Sequence, residues 1–441
     1  MMQVEQKNGD QSTGLAWLGT VPSHWQQTTI RAITKPVVRR GQPDLMLLSV
    51  YRDYGVIPKD SRDDNYNRDG SDLSSYKVVR PGNLVLNKMK TWQGSLGVAD
   101  HEGIVSPAYI VCELQGNLNE RFIHYLLRSY PYIYEYNRIS YGVRVAQWDM
   151  RYDDFKQISI FLPPRAEQDA IVAFLDEKLA DIDRYIAAKQ RLIELLDEQK
   201  AAIINQAVTR GLVTKDTIKA SIDWLGHIPE DWIELPLKRV TISMCDGPFG
   251  SSMKSQHYAE TGVRLIRLQN IGVAEFRDDD KAFITEGHFA SLPGHDARAG
   301  DLLLAGLGDP NNPVGRACII PDFINIAMVK ADCFRLRLNQ EFLSHKYAMY
   351  YLSSASARIE VSKHIRGATR ERINLTGAGE LMVPIPPLDE QERICEFIEE
   401  ETKTFKEAIA NANGEIELMQ ELRTTLIAEA VTGKIDVRKQ G

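Results

Sequence analysis

Pro163-Pro164-Arg165-Ala166-Glu167-Gln168 and the periodic run behind it, reaching Gly211, decide the fold, because the chain contains them twice. Pro386-Pro387-Leu388-Asp389-Glu390-Gln391 opens the second version 223 residues later, and that offset carries Ile171 onto Ile394, Phe174 onto Phe397, Ile186 onto Ile409, Ile193 onto Ile416, Ile203 onto Leu426 and Val208-Thr209 onto Val431-Thr432. An ungapped repeat of this length is architectural. Each copy is expected to form one long helix. Prolines suit a helix start, where the missing N–H has no intrahelical partner, acidic Glu167 and Glu390 suit the positive end of the dipole, and Gly211 and Gly433 end the runs.

Within the first copy, positions 175, 179, 182, 186, 189, 193, 196, 200, 203 and 207 advance by alternating steps of four and three, and only Lys189 and Lys200 are not apolar. That is a coiled-coil seam with a period near 3.5 residues. The second copy keeps it at Ile398, Thr402, Phe405, Ile409, Ala412, Ile416, Met419, Arg423, Leu426 and Ala430. Roughly 43 residues at about 1.5 Å each make a rod of about 65 Å.

A second, shorter repeat precedes each globular stretch. Trp17-Leu18-Gly19-Thr20-Val21-Pro22-Ser23-His24-Trp25 returns as Trp224-Leu225-Gly226-His227-Ile228-Pro229-Glu230-Asp231-Trp232. The order is therefore short motif, globular region, long helix, then the same three again. If the halves are related by a pseudo-two-fold axis, the helices run antiparallel, and Trp17 packs near Val431 at the end of the second helix in a circular arrangement. The tryptophans themselves are expected to be packing anchors at the helix ends.

The sequence thus divides into an N-terminal segment 1–25, a first globular domain 26–162, a central helix 163–211, a linker 212–232, a second domain 233–384, a C-terminal helix 385–435 and a tail 436–441. The fold class is α+β, two variable mixed α/β domains joined by two long antiparallel coiled-coil helices. Strands are expected at Leu45–Val50, Leu84–Asn87 and Tyr109–Glu113, then at Arg264–Leu268, Asp301–Ala305 and Asp332–Leu338. Helices are expected near Glu120–Arg138 and Glu341–Ile359. Outside the frame only Pro81-Gly82-Asn83-Leu84-Val85-Leu86 and Ala299-Gly300-Asp301-Leu302-Leu303-Leu304 look alike.

At 441 residues the chain needs more than one core. With no apolar run of membrane-spanning length and a polar start, a cytoplasmic location is expected. Five scattered cysteines without a Cys-x-x-Cys pair suggest neither disulfides nor zinc. The net charge of −7 opposes a nucleic-acid partner until its location is considered. The two helices together carry −10, which leaves 26–161 with 18 basic against 15 acidic groups and 233–385 with 18 against 17. Both domains remain candidates for phosphate contact.

Catalytic motifs are missing. The sequence has no phosphate-binding Gly-rich loop with Lys-Ser/Thr, no Asn/Asp-Pro-Pro-aromatic tetrad, no His-Glu-x-x-His and no Gly-x-Ser-x-Gly. The carboxylates Asp149, Asp153 and Asp154, and Asp278 to Asp280, are expected to be solvated rather than metal-binding. What recurs instead is basic, amide and aromatic side chains interleaved with glycine. In the first domain the candidates for DNA contact are Arg52 and Tyr54, Lys88, Lys90, Trp92 and Gln93, and Arg144 and Gln147. In the second they are Phe249, Ser251, Ser252 and Lys254, Arg267 and Asn270, and Lys363, His364, Arg366, Arg370 and Arg372. Arg and Lys suit guanine edges and phosphates, amides suit adenine edges, and glycine lets a loop enter a groove.

Two such domains, each preceded by Trp-Leu-Gly-x-Ile/Val-Pro-x-x-Trp and followed by a Pro-Pro-x-x-Glu-Gln helix, closely resemble the specificity subunit of type I restriction-modification enzymes over about residues 15–435. The stretches Asn87–Ser95 and Asp246–Lys254 also look like segments of that family's target recognition domains. The resemblance implies a non-catalytic reader of double-stranded DNA, each domain taking one half of a split, asymmetric site while the helices set the spacer. It implies two methyltransferase subunits docked along the helices and restriction/translocase subunits outside them. No cofactor is then expected in this chain, and S-adenosylmethionine, ATP and Mg belong to the partner subunits. The alternative from another class is a coiled-coil adaptor whose two heads bind proteins.

Overall fold

A computed structural model of the chain describes residues 9–62, 72–144, 147–366 and 370–437, with the side chains of 143, 144, 147 and 251 outside the description. The chain forms two compact units, Met1–Lys189 with Asn413–Gly441, and Gln190–Ala412.

In the first unit, β1 (Gln26–Thr29) and β2 (Thr34–Pro36) are followed by β3 (Asn83–Asn87), β4 (Leu96–Val98) and β5 (Tyr109–Leu114). The last four form an antiparallel sheet in the order β2-β5-β3-β4. Helices α1 (Glu120–Arg128) and α2 (Tyr130–Ile139), a hairpin of β6 (Tyr141–Arg144) and β7 (Gln147–Asp149), and β8 (Ser159–Leu162) complete the domain. The single helix expected over Glu120–Arg138 is interrupted at Ser129, whose extended backbone caps α2 with Pro131 in its first turn. Pairing of β8 with β1 sets Gln26 opposite Leu162, so the residue before β1, Trp25, lies beside the start of the long helix α3 (Arg165–Arg210).

The second unit repeats this plan. β9 (Ile233–Pro236), β10 (Thr241–Cys245), β11 (Leu302–Ala305), β12 (Ala317–Ile319) and β13 (Cys333–Leu338) precede α4 (His345–Leu352), α5 (Ala355–Lys363) and β14 (Met382–Ile385). The sheet order is β10-β13-β11-β12, the same connectivity as in the first unit. Here too the expected helix is divided, at Ser353-Ser354, and the Ser354 hydroxyl accepts from Ala357 N–H to cap α5. β9 pairs with β14, Ile233 opposite Ile385, and sets Trp232 beside the start of α6 (Leu388–Val431). The domains that diverge in sequence therefore share one topology, because strand pairing asks only for an apolar face and a backbone ladder. A five-stranded sheet in the second unit, from Tyr258–Ala259 to Asp296–Ala297, is an elaboration of its own.

All ten seam positions of each long helix are at least partly buried. In the first unit Ile171, Leu175, Leu179 and Ile182 pack in one cluster with Ala430 and Val431. Arg423 binds Asp183 at 2.5 Å and Lys189 binds Glu415 at 2.5 Å, so positions rise along α3 as they fall along α6 and the helices are antiparallel there. In the second unit Ile204, Ala207 and Val208 share a cluster with Ile394, Cys395 and Ile398. Trp17 packs against the cluster that contains Val431, as circular closure requires.

Among the described residues no helix is long and apolar enough to cross a membrane. All five cysteines are free, and burial pushes the Cys112, Cys318 and Cys395 thiols up to about 12. Such thiols stay protonated and act as small apolar side chains.

Candidate nucleic-acid interface

The Glu-Gln pair at each helix start holds a domain in place. Trp25 Nε1 donates to Glu167 Oε1 and Trp232 Nε1 donates to Glu390 Oε2, both at 3.2 Å. Each carboxylate has a second partner, His24 Nε2 at 2.6 Å from the partly buried Glu167 and the Lys215 ammonium at 2.8 Å from the buried Glu390. The neighbouring glutamine reaches the domain itself. Gln168 donates to Pro163 O and accepts from Asn119 N–H, while Gln391 donates to Pro386 O and accepts from Ser344 N–H. Asn119 and Ser344 are the N-caps of α1 and α4, so the motif ties the first helix of each domain to the long helix that follows. Glycine closes the latch: a Cβ at Gly433 would lie 2.2 Å from Pro22 Cδ, and one at Gly211 would lie 2.9 Å from Glu390 Oε1.

On this frame the first domain carries a cleft of about 990 Å³ between the β3–β4 loop and the β6–β7 hairpin. Lys88, Lys90, Trp92 and Gln93 line it from the loop, and Trp148, Asp149 and Arg151 from the hairpin side. The two segments are laced by Met150 N–H donating to Lys88 O at 2.9 Å, and Lys88 Nζ lies 3.3 Å from Asp149. Trp92 and Trp148 meet with ring centroids 5.0 Å apart, and Arg151 lies 4.7 Å over the Tyr141 ring. Gly94, at φ +92°, ends the loop where a Cβ would strike Ile133 at 2.7 Å. Lysines around an aromatic floor match the chemistry of a nucleic-acid groove.

Arg52 and Tyr54 sit on the neighbouring loop, Arg52 paired with Asp53 at 3.0 Å and Tyr54 under the Arg62 guanidinium at 4.6 Å. Arg144 and Gln147 belong to the hairpin by their backbone, and their side chains lie outside the described residues.

The second domain gathers a different set. Phe249 is half exposed beneath the Arg372 guanidinium at 5.4 Å, and Arg372 is paired with Asp332 at 2.7 Å. The Asp246-Gly247 step that leads to Phe249 is clamped: Asp246 Oδ1 accepts from Gly247 and Asp332 N–H, and a Cβ at Gly247 would lie 2.1 Å from the Lys330 carbonyl carbon. Ser252 lends its carbonyl to His288 at 2.9 Å, Lys254 is exposed, and the Ser251 side chain lies outside the described residues. Arg366 and Arg370 are exposed, whereas Gly367 to Thr369 of the same loop lie outside the described residues.

Four sequence candidates are held by the fold. Arg267 forms a two-pronged pair with Asp280, and Asn270 is fully buried, accepting from Arg267 N–H and donating to Arg277 O and Asp280 O. Asn270 is thus corrected from a contact residue to a scaffold residue, because a buried amide must satisfy its own hydrogen bonds inside the protein. Lys363 stacks over the Trp224 ring of the Trp-Leu-Gly frame at 3.7 Å, and His364 lies 3.8 Å from Glu360 on the preceding helix. The acidic runs are also engaged: Asp153 with Lys156, and Asp278 with Arg264 and Lys281.

Two arginines escaped the sequence reading. Arg128 donates to the carbonyls of Tyr51, Arg52, Gly94 and Leu96, tying together the two loops beside the first cleft. Arg316 donates to those of Leu268, Ile271, Leu307, Asn312 and Pro313 in the second domain. Burial draws Arg128 down to about 10 and also lowers Arg316, yet both stay charged at neutral pH. Their hydrogen bonds go to backbone carbonyls, and the nearest opposing charges are Asp53 for Arg128 and Asp309 for Arg316. Nothing local in the sequence marks them, since their partners are backbone atoms from distant segments.

The model of the type I restriction modification DNA specificity domain matches residues 303–418. The chain is 24% identical to the type I restriction enzyme MjaVIII specificity subunit of Methanocaldococcus jannaschii, covering 95% of this chain and 94% of that protein. It is 23% identical to the EcoBI specificity subunit of Escherichia coli, covering 74% and 68%. A chain of a solved type I R-M system, studied for its complex assembly and conformational transition, shares the fold with a TM-score of 0.65 at 16% identity, covering 94% of this chain and 99% of that one. With the duplicated frame and its matching latches, these similarities set the chain beside the specificity subunits of type I restriction-modification systems, whose DNA specificity domain its residues 303–418 match.

Proposed function

We propose that the chain is a non-catalytic reader in which each domain recognises one half of a split, asymmetric DNA site. The observation that carries this reading is the pair of matching latches, Trp25–Glu167 with Gln168–Asn119 and Trp232–Glu390 with Gln391–Ser344, which hold two different loop sets on one repeated frame. A frame kept constant beneath loops of different chemistry serves one task on two different sequences.

In this reading the long helices set the number of unread base pairs and offer docking surface to two methyltransferase subunits, with restriction/translocase subunits outside them. S-adenosylmethionine, ATP and Mg would be held by those partners. Lys90, Gln93, Trp92 and Trp148 would meet the first half-site, and Arg370 with Phe249 and Arg372 the second. Specificity comes from side chains at base edges, while lysines on phosphates position the duplex.

The test is an insertion in α3. Four residues added after Leu196 lengthen the helix by about 6 Å and turn the continuing face by about 40°. At about 3.4 Å per base pair, this is close to two base pairs. Methylome sequencing of cells carrying the variant and its partner subunits should report the same two half-sites with a spacer changed by one or two base pairs. An active variant with an unaltered spacer would remove the helices as the ruler, and altered half-sites would place recognition outside the domains.

A further inference from the structure

The first domain's β3–β4 loop has a counterpart that the sequence did not disclose. Because the sheets β2-β5-β3-β4 and β10-β13-β11-β12 share one connectivity, the segment equivalent to Asn87–Ser95 is the one between β11 and β12. Backbone lacing agrees. Met150 N–H donates to Lys88 O beside the first loop, and Ile373 N–H donates to Gly306 O beside the second, both at 2.9 Å. Gly308 N–H also donates to Glu371 O at 2.9 Å, and Arg366 pairs with Arg372 in an antiparallel bridge where the first domain has its β6–β7 hairpin.

This second loop is built as a rigid projection. Asp309 and Asn312 exchange backbone hydrogen bonds, Asp309 N–H to Asn312 O at 2.9 Å and Asn312 N–H to Asp309 O at 3.1 Å, which places Pro310 and Asn311 at the tip. Proline fixes φ at the first tip position. The Asp309 carboxylate accepts from the N–H groups of Asn311 and Asn312 and from Asn312 Nδ2. Asn312 Oδ1 accepts from Arg277 at 2.9 Å, and Arg316 holds the base of the loop through the carbonyls of Leu307, Asn312 and Pro313. Gly308 is required for the close approach, since a Cβ there would lie 2.6 Å from Val314 N. Asn311 alone at this tip is exposed with a side-chain amide that makes no hydrogen bond among the described residues.

We propose that Gly306–Pro313 is the base-reading loop of the second recognition domain and that Asn311 is its specificity-determining side chain. This rests on the two-domain reading above. The loop occupies the topological place of the Lys88–Gln93 segment, its tip is preorganised by hydrogen bonds made before any DNA arrives, and arginines flank it. An asparagine amide presents one donor and one acceptor, the pattern that matches an adenine edge in the major groove.

The test uses the complex of the full chain with its methyltransferase subunits. The wild-type site is defined by methylome sequencing, and competition binding then measures affinity for that site and for each single base-pair substitution. Asn311→Ala should lower discrimination on the order of 10- to 100-fold at one or two adjacent positions of one half-site, leaving the other half-site and the spacer unchanged. Asn311→Asp, which keeps the shape but loses the donor, should reverse the preference at the same position. Unchanged discrimination in both variants, or equal relaxation of both half-sites, would overturn the assignment. A continuous wild-type motif would refute the two-domain reading by itself, and the Asn311 variants would still decide the loop by whether that motif changes.

Discussion

The two recognition domains share a sheet order, a pair of helices and a latch, and differ in what they display. The first opens a cleft floored by Trp92 and Trp148 and lined by Lys88, Lys90 and Arg151. The second projects a stiff turn at Asp309–Asn312 beside arginines, of which Arg372 is already paired with Asp332. The difference teaches where variation is cheap. A loop leaving a completed ladder can change residues freely so long as its base is tied, and here one arginine does the tying in each domain, the partly buried Arg128 in one and the buried Arg316 in the other.

The comparison breaks most visibly at the latch. Trp25→Ala and Trp232→Ala each remove a buried indole and its bond to the glutamate at a long-helix start, and each should cost about 3–5 kcal/mol, confined to its own unit. Hydrogen exchange resolved by segment reads this. Equal loss of protection in both units after either substitution would show that they do not fold on separate latches.

Acid should separate the units next. Burial lowers His124, in the first domain, to about 4, so it is neutral when folded and takes up a proton on unfolding. Below about pH 6.5 the unfolded chain binds more protons, and stability falls as pH drops from there towards 4, by about 2 kcal/mol at pH 5. Asp246 in the second domain has the opposite sign. Burial raises it to about 6, so its folded carboxyl is protonated first and contributes stability as pH falls below about 6. His345, lowered by burial, offsets part of that gain. Denaturant titrations at pH 7 and pH 5 should therefore show the first unit losing more, and His124→Gln should flatten its slope. A slope unchanged by that substitution would assign the acid sensitivity elsewhere.

Gln168→Ala and Gln391→Ala should cost about 1–2 kcal/mol each, because each strands the N–H of a helix N-cap that is partly reached by water. Exchange at the first turn of α1 or α4 should rise while the sheets keep their protection. If the sheets open as well, the glutamine supports the whole domain rather than the seating of one helix.

The smallest effect concerns charge. Lys90→Ala should weaken DNA binding by about 1 kcal/mol and lower the slope of log affinity against log salt by about 1 if it meets phosphate, while Arg372→Ala, which is held by Asp332, should move the slope less. Equal slope changes would mean that the Arg372–Asp332 pair opens on DNA.

The architecture was legible early, and the interface only partly. Trp17, Trp25 and the Pro-Pro-x-x-Glu-Gln segments stood out by repetition, which set Trp17 near Val431 but left the Trp25–Glu167 bond to the structure, and the seam positions recurred at the spacing on which the helices pack. Lys90 and Trp92, chosen for their chemistry, line the same cleft. Asn270 looked like the same chemistry and is buried, whereas Asn311 was passed over in a stretch of Gly, Pro and Asn that reads as an ordinary turn. The match of Pro81–Leu86 with Ala299–Leu304 pointed at that loop and stopped at its edge, since nothing after Leu304 resembles Asn87–Ser95 in sequence.

The amino-acid sequence by itself determined the duplication, the long helices, their antiparallel seam and the motifs that clamp them, because these depend on periodicity and on short local segments. Only the tertiary structure decided that the two divergent domains share one topology, which polar side chains reach the surface, and which loops are equivalent. Those outcomes depend on backbone pairing between distant strands and on hydrogen bonds from arginines to carbonyls of distant segments, and neither leaves a residue-specific mark along the chain.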